Sequence, residues 1–383
     1  MMQSSVTKRV EPLAPPTLIT RQASLDEMLA RLLDEPAVAV DTESDSMYVY
    51  REKVCLVQFS IPTCDYLLDP LSGLDMAPLG SLFADPRVEK VFHAAEYDVL
   101  CLKRDEGFEF RNLFDTMWAA RVLGWPRLGL ASILEERFGV SLNKRWQRYN
   151  WGKRPLVPGA LAYARLDTHF LLDIRAMQLA ALQAAGRLEE AREIFDQQAE
   201  LAPPDVPDPH SFWRVKGVWD LTGREQALVR ELHAYREHEA SRRDQPVFYI
   251  FSDKTLVNLA QAQPHCLQEL FSIDGLKSLH VKRYGPGILE ALARGQEASI
   301  PRPPYSPRPD EHILERYETL RAWRNDLAHQ RGVEPDVIMS NATLMDIAQR
   351  CPTTLAELED IEGLGPWRRK TYGPQVLGVI RKT

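Results

Sequence analysis

Apolar residues run unbroken through Ala37-Val38-Ala39-Val40, and a polar triplet, Asp41-Thr42-Glu43, follows directly. A short apolar run rich in β-branched residues predicts a buried strand. Residues two apart on a strand share a face, so Asp41 and Glu43 point the same way from its end. A second short run, Lys90-Val91-Phe92, predicts another strand leading into a helical pattern over 97–102, with Asp98 at its start. The stretch from Leu161 to Leu172 predicts a further helix, on which a spacing of four puts Tyr163 and Asp167 on one face. Up to about residue 200 strands and helices alternate, the pattern of an α/β domain.

Two proline-rich segments, 202–210 and 300–309, resist helix and strand and read as linkers. Between and after them the chain repeats itself. Leu232, Arg236, Ala240, Thr255, Leu256, Ala260, Ile273, Gly275, Tyr284, Gly285 and Pro286 recur 88 residues later as Leu320, Arg324, Ala328, Thr343, Leu344, Ala348, Ile361, Gly363, Tyr372, Gly373 and Pro374 (343 − 255 = 88; 374 − 286 = 88). Each copy shows several short amphipathic helical stretches separated by Pro and Gly, which predicts a small all-α domain.

The acidic residues carry the chemistry. Two carboxylates on one face repel unless a cation offsets them, and carboxylate oxygens are the hard ligands that magnesium and manganese prefer. Two such ions about 3.5–4 Å apart can clamp the attacking water and the leaving oxygen of a phosphodiester. Asp41, Glu43, Asp98 and Asp167 are the expected ligands, with Asp41 bridging the ions. The phenol of Tyr163, which both donates and accepts hydrogen bonds, would hold the water. His93 reads as a hydrogen-bonded structural histidine. His169 reads likewise, two residues from Asp167 and so on another helical face. Glu96, Asp45 and Asp173 read as surface or supporting acids.

At these residues the chain resembles the DEDD superfamily of 3′–5′ exonucleases, and within it the ribonuclease D family. The family's motifs are matched by Asp41-Thr42-Glu43, by Asp98 within Phe92-His-Ala-Ala-Glu-Tyr-Asp98, and by Tyr163-x-x-x-Asp167. Ala162 stands where the histidine variant carries its base, so the chain resembles the tyrosine form. Further resemblance lies in Trp151-Gly-Lys-Arg-Pro-Leu156 and Phe114-Asp115-Thr116. The two repeats resemble the helicase-and-RNase-D C-terminal (HRDC) domain. This resemblance implies an RNase H-like (DnaQ-like) α/β exonuclease domain with a mixed sheet over 17–200, then HRDC domains over 211–296 and 310–383. A flexible tail (1–16) and linkers (201–210 and 297–309) complete the division. It also implies a two-metal 3′–5′ exoribonuclease using Mg2+ or Mn2+, with precursor transfer RNAs and other structured RNAs as partners.

Composition changes this picture little. At 44% hydrophobic and 26% charged the chain is an ordinary globular protein. It has no apolar run of membrane-spanning length and no signal-peptide core in its first 16 residues, so a cytoplasmic protein that engages no membrane is expected. Five scattered cysteines without a C-x-x-C indicate neither disulfides nor zinc. No long exposed apolar stripe asks for a dimer, and a monomer is expected.

The net charge of −7 is unusual for a nucleic-acid binder, but cations are concentrated locally. Lys144, Arg145, Arg148, Trp151, Lys153 and Arg154 lie in one segment suited to phosphate contact and base stacking. Trp367, Arg368, Arg369 and Lys370 follow the glycines of the second repeat, where backbone N–H groups can approach phosphate. The first repeat has lost the second glycine and some of these cations, so weaker binding and a mainly packing role are expected of it. Two other functions fit the same residues: a DNA exonuclease, because the motifs do not report the sugar, and a catalytically silent RNA-binding scaffold.

Overall fold

The computed structural model describes residues 13–203, 208, 210–303 and 310–382. Most of the expected tail and parts of both expected linkers lie outside the described residues. The chain divides into two compact units, one built from 13–44, 54–203 and 310–382, the other from 45–53, 208 and 210–303.

In the first unit six strands, β1 (Thr17–Ile19), β2 (Ala37–Ser44), β3 (Val54–Ile61), β4 (Cys64–Leu68), β5 (Glu89–Phe92) and β6 (Leu113–Asp115), form one sheet in the order β1-β4-β3-β2-β5-β6. β2 and β4 run antiparallel to β3, while the β1–β4, β2–β5 and β5–β6 pairs are parallel, so the sheet is mixed. Every residue of β3 is buried, because both faces of the sheet are covered. The helices are α1 (Gln22–Leu33), α2 (Gly80–Ala84), α3 (Glu96–Glu106), α4 (Thr116–Leu123), α5 (Leu130–Phe138), α6 (Pro158–His169), α7 (Leu171–Ala184) and α8 (Leu188–Glu200).

Two boundaries differ from the sequence expectation. β2 continues past Val40 to Ser44, because Thr42 and Glu43 pair with Val57 and Leu56 of β3, so the acidic pair lies within the strand. The helix expected over 161–172 breaks at Phe170, whose φ of −99° and ψ of −3° separate α6 from α7 and whose ring packs on Phe138.

The second unit contains α9 (Gly223–Arg243), α10 (Val247–Ile250), α11 (Asp253–Ala262), α12 (Leu267–Leu270) and α13 (Ser278–Glu297). The strip 45–53 belongs to it, tied by Tyr50 Oη to Glu237 and by the Tyr50 and Arg51 amides to Asp244. The second helical copy, α14 (Glu311–Arg331), α15 (Pro335–Ile338), α16 (Asn341–Arg350) and α17 (Pro366–Ile380), belongs to the first unit. The two copies share one internal design. Arg236 reaches Phe251 O and Asp253, and 88 residues on Arg324 reaches Met339 O and Asn341. Gly275 and Gly363 both have positive φ, and a Cβ on either would fall within 2.5 Å of the hydroxyl of Thr255 or Thr343, which accounts for two of the repeated pairs.

By contacts the second copy groups with the exonuclease domain, because it docks on α8. Arg331 makes a bidentate pair with the fully buried Glu190 at 2.8 and 2.5 Å. Glu193 accepts from the Trp367 and Arg368 amides at the start of α17 (2.6 and 3.3 Å) and from Arg368 Nη1 (3.0 Å). Val337 of α15 enters the core beneath the sheet.

Candidate active site

Asp41 and Glu43 leave β2 on the same face, as a period of two requires, and α6 packs across β2, β3 and β4 to bring Asp167 opposite them. One carboxylate oxygen from each of Asp41, Glu43 and Asp167 lies within 4.8 Å of the others. Asp98 stands beside this trio on the first turn of α3, where the Thr42 hydroxyl donates to its carboxylate. Thr42, the unassigned middle residue of the D-x-E, thus orients the fourth acid.

α3 is itself aimed by Asp115. That carboxylate accepts from the Ala94 and Ala95 amides (3.0 and 2.8 Å) ahead of α3, and from the Met117 and Trp118 amides (2.8 and 3.1 Å) that open α4. It satisfies orphan donors at two helix starts and holds the turn in which Ala94 has positive φ. In the sequence Asp115 was visible only as part of the resemblance.

The electrostatics fit a cation. Burial, followed by repulsion from Asp98, Asp167 and Glu43, raises the Asp41 carboxyl well above its usual range. Glu43 is raised by burial and by Asp167 and Asp98. Burial lifts Asp98 to about 7 against the Thr42 hydrogen bond, and burial with the Asp98 charge lifts Asp167 to about 8. No described residue lining this cleft is a lysine or arginine. Burial pushes the His93 imidazole down to about 4, so it is neutral as well. Hard oxygen donors held close together without a protein counter-charge are the donor set a divalent cation requires.

Tyr163 lines the same cleft, which has a volume of about 510 Å³. Burial, then the charges of Asp167, Glu43 and Asp41, push its phenol far up, while a hydrogen bond from Gln147 acts the other way. The group is a neutral phenol, able to donate. Gln147 had not been singled out in the sequence, nor had the other cleft residues Gly129, Leu130, Ala131, Ser132 and Leu142. They come from a loop, the start of α5 and the segment before α6, and no motif marks them.

His93 donates or accepts at Thr116 (2.9 Å), as a structural histidine would, and it also lines the cleft. His169 turns away to Asp65 (2.9 Å).

Several of the expected substrate contacts are engaged within the protein, Arg154 while still partly exposed. Trp151, 1% exposed, lies in a cluster with Cys55, Leu56, Leu67, Ala160, Ala164 and Tyr163, so it supports the helix that carries Tyr163 and cannot stack on a base. Arg154 directs its guanidinium to Asp69 (2.6 and 2.5 Å), Trp151 O (2.6 Å) and Cys55 O (2.8 Å). Arg368 is buried against Glu193, Val337 O and Ile338 O. Arg369 pairs with Glu359 at 2.9 Å, and Trp367 packs edge-on against Tyr372. The start of α17, expected to meet phosphate, is occupied by the Glu193 carboxylate, which uses the same amides and the same positive helix end. Arg145, Arg148, Lys153 and Lys370 are exposed; the Lys144 side chain lies outside the described residues.

The mainly packing role was expected of the first repeat, but it is the second whose face is packed on α8. In the first copy Tyr249, Leu279, His280 and Tyr284 occupy the positions of Val337, Trp367, Arg368 and Tyr372, and with Gln245, Lys282 and Arg283 they line an open groove. Leu279 is 77% and Tyr249 53% exposed. The packed copy is the second, whose face meets α8.

The 3′–5′ exonuclease family model matches residues 16–179, and the HRDC domain model matches residues 225–292 and 313–380. A ribonuclease D of Gluconacetobacter diazotrophicus is 30% identical over 375 residues, covering 95% of this chain and 92% of its own. Among solved structures, Escherichia coli RNase D, described as an exoribonuclease involved in structured RNA processing, aligns with a TM-score of 0.71 at 24% identity, over 96% of this chain and 99% of that one. The catalytic core of RRP6 from Trypanosoma brucei aligns with a TM-score of 0.66 at 27% identity, over 73% and 79%.

Proposed function

The chain belongs to the ribonuclease D family of 3′–5′ exoribonucleases, and we propose that it trims the 3′ ends of structured RNAs, precursor transfer RNAs among them, releasing 5′-monophosphates one at a time. Asp41, Glu43, Asp98 and Asp167 would hold two divalent ions, Mg2+ or Mn2+. The observation that carries this reading is the trio of carboxylate oxygens within 4.8 Å, in a cleft whose described lining has no lysine or arginine.

Bound divalent ions supply the positive charge that stabilises the phosphodiester's transition state and lowers the pKa of water. The chain's own groups set the geometry around that charge. Asp41 and Glu43 are fixed by the pairing of β2 with β3, and Thr42 keeps the Asp98 carboxylate turned toward them. Tyr163, held neutral, keeps its Oη proton to donate to a water or phosphate oxygen, with Gln147 lining the same cleft. Arg145, Arg148 and Lys153 would contact the RNA backbone. The groove of the first copy, with Lys282, Arg283 and the exposed Tyr249, is a better candidate for holding RNA than the occupied face of the second.

The test is digestion of matched 3′-overhanging RNA and DNA oligonucleotides with Mg2+ or Mn2+ by the wild type and by Asp167→Asn. Stepwise loss from RNA 3′ ends that the variant lacks is the expected result. Preference for DNA would favour the DNA exonuclease, and no metal-dependent cleavage of either would favour the RNA-binding scaffold.

A further inference from the structure

His93 shares the cleft with Asp41, Glu43 and Asp167 without being one of the proposed ligands, and its hydrogen bonding determines which ring nitrogen is left free. Nδ1 lies 2.9 Å from Thr116 Oγ1. That hydroxyl has a single proton, which it gives to the carbonyl oxygen of Phe92 at 2.9 Å, a group that can only accept. Thr116 Oγ1 therefore accepts from Nδ1–H. A neutral imidazole with its proton on Nδ1 has a bare lone pair on Nε2. Nε2 has no hydrogen-bond partner among the described residues and is not sealed off from solvent, and the ring lines the cleft.

An atom that accepts and cannot donate repels a phosphate oxygen and attracts a hydroxyl. Several of the cleft's other polar groups are differently engaged, while the Ser132 and Tyr163 hydroxyls also line it. Asp41, Glu43 and Asp167 face one another as a candidate cation site, and Thr42 gives its proton to Asp98. The ribose is bonded directly to the phosphate, so with that phosphate on the acidic side the sugar would lie within reach of the cleft's other lining residues, His93 among them. The 3′-hydroxyl is common to RNA and DNA ends, whereas the 2′-hydroxyl separates them.

We infer that His93 Nε2 accepts a hydrogen bond from the 2′-hydroxyl of the 3′-terminal nucleotide and thereby makes the cleft selective for ribose. This rests on the exoribonuclease reading above and goes beyond it, because neither the acidic residues nor Tyr163 distinguishes the sugar. Leaving the acceptor without its donor penalises a deoxy end.

The experiment measures release of the terminal nucleotide in Mg2+ from one oligoribonucleotide sequence ending in a ribo, a 2′-deoxy or a 3′-deoxy nucleotide. The wild type is expected to cleave the 2′-deoxy end with kcat/KM lower by about tenfold. In His93→Ala the ribo to 2′-deoxy ratio is expected to fall toward one. In His93→Gln, whose amide nitrogen can donate to Thr116 while its oxygen accepts, part of the ratio should remain. Melting curves of both variants establish that they fold. A merely structural role would slow all three ends by one factor and leave the ratio intact, and that result overturns the inference. So does a wild type indifferent to the 2′-hydroxyl, or a dependence on His93 that follows the 3′-hydroxyl. A wild type that cleaves none of the ends overturns the exonuclease reading itself.

Discussion

Replacing Glu193 by alanine should loosen the second helical copy from α8, and the contacts allow the size of the effect to be worked out. Oε2 accepts from the Trp367 and Arg368 amides at 2.6 and 3.3 Å, and Oε1 accepts from Arg368 Nη1 at 3.0 Å, with the side chains 7% and 5% exposed. Removing one member of a buried ion pair costs about 3–5 kcal/mol, because the surviving charge has neither water nor partner. Losing an anion at a helix start adds about 0.3–1 kcal/mol. Arg368 keeps its bonds to Val337 O and Ile338 O, which moderates the loss, so we expect about 3 kcal/mol. Glu193→Gln keeps an acceptor for the amides and should lose less. Global melting of a chain with several units is not two-state, so the assay is amide hydrogen exchange across 366–380 in the full chain. Protection there should fall on the scale of 3 kcal/mol, roughly two powers of ten in exchange rate. A cycle with Arg368→Met should show coupling above about 1 kcal/mol. Unchanged protection in Glu193→Ala, or strictly additive effects of the two substitutions, would refute the reasoning.

Other outcomes follow from the active-site geometry. Asp98 and Asp167 are raised to about 7 and about 8, above the roughly 3.9 expected unfolded. The folded chain therefore holds protons that the unfolded chain has released, and the metal-free protein should lose stability as pH rises from about 4 to about 8. Melting in chelator against Mg2+ checks this: Mg2+ should raise Tm most at the alkaline end, Asp41→Asn should remove that rise, and a flat metal-free profile would contradict it. Tyr163→Phe keeps the buried ring and loses the hydroxyl, so kcat should drop about 10²-fold while the Mg2+-dependent rise in Tm remains; an unchanged kcat would exclude a role for the phenol. Trp151→Ala should cost about 3–5 kcal/mol in urea unfolding. The exposed Lys153→Ala should stay within about 0.5 kcal/mol and lower RNA affinity, with the salt slope reduced by roughly one. Equal stability of these two variants would count against the internal role given to the tryptophan.

Much of the site was legible because short-range periodicity carries it. A period of two placed Asp41 and Glu43 on one face of β2, and a spacing of four did the same for Tyr163 and Asp167 on α6, whichever partners the elements later met. The repeat at 88 residues was legible for a similar reason, since the Arg236 and Arg324 clamps and the glycines opposite Thr255 and Thr343 are requirements internal to each copy. What each basic cluster faces was not legible. Arg368 meets a carboxylate 175 positions away, and Arg154 meets one 85 positions away. A guanidinium or a helix start satisfies the same hydrogen bonds with a carboxylate as with a phosphate. The chain's local order by itself determined the acidic constellation, the α/β pattern and the paired helical copies. Only the tertiary structure decided which cations face solvent, which helical copy is docked, that Asp115 aims the helix carrying Asp98, and which nitrogen of His93 Thr116 holds, because each depends on groups brought together across the fold.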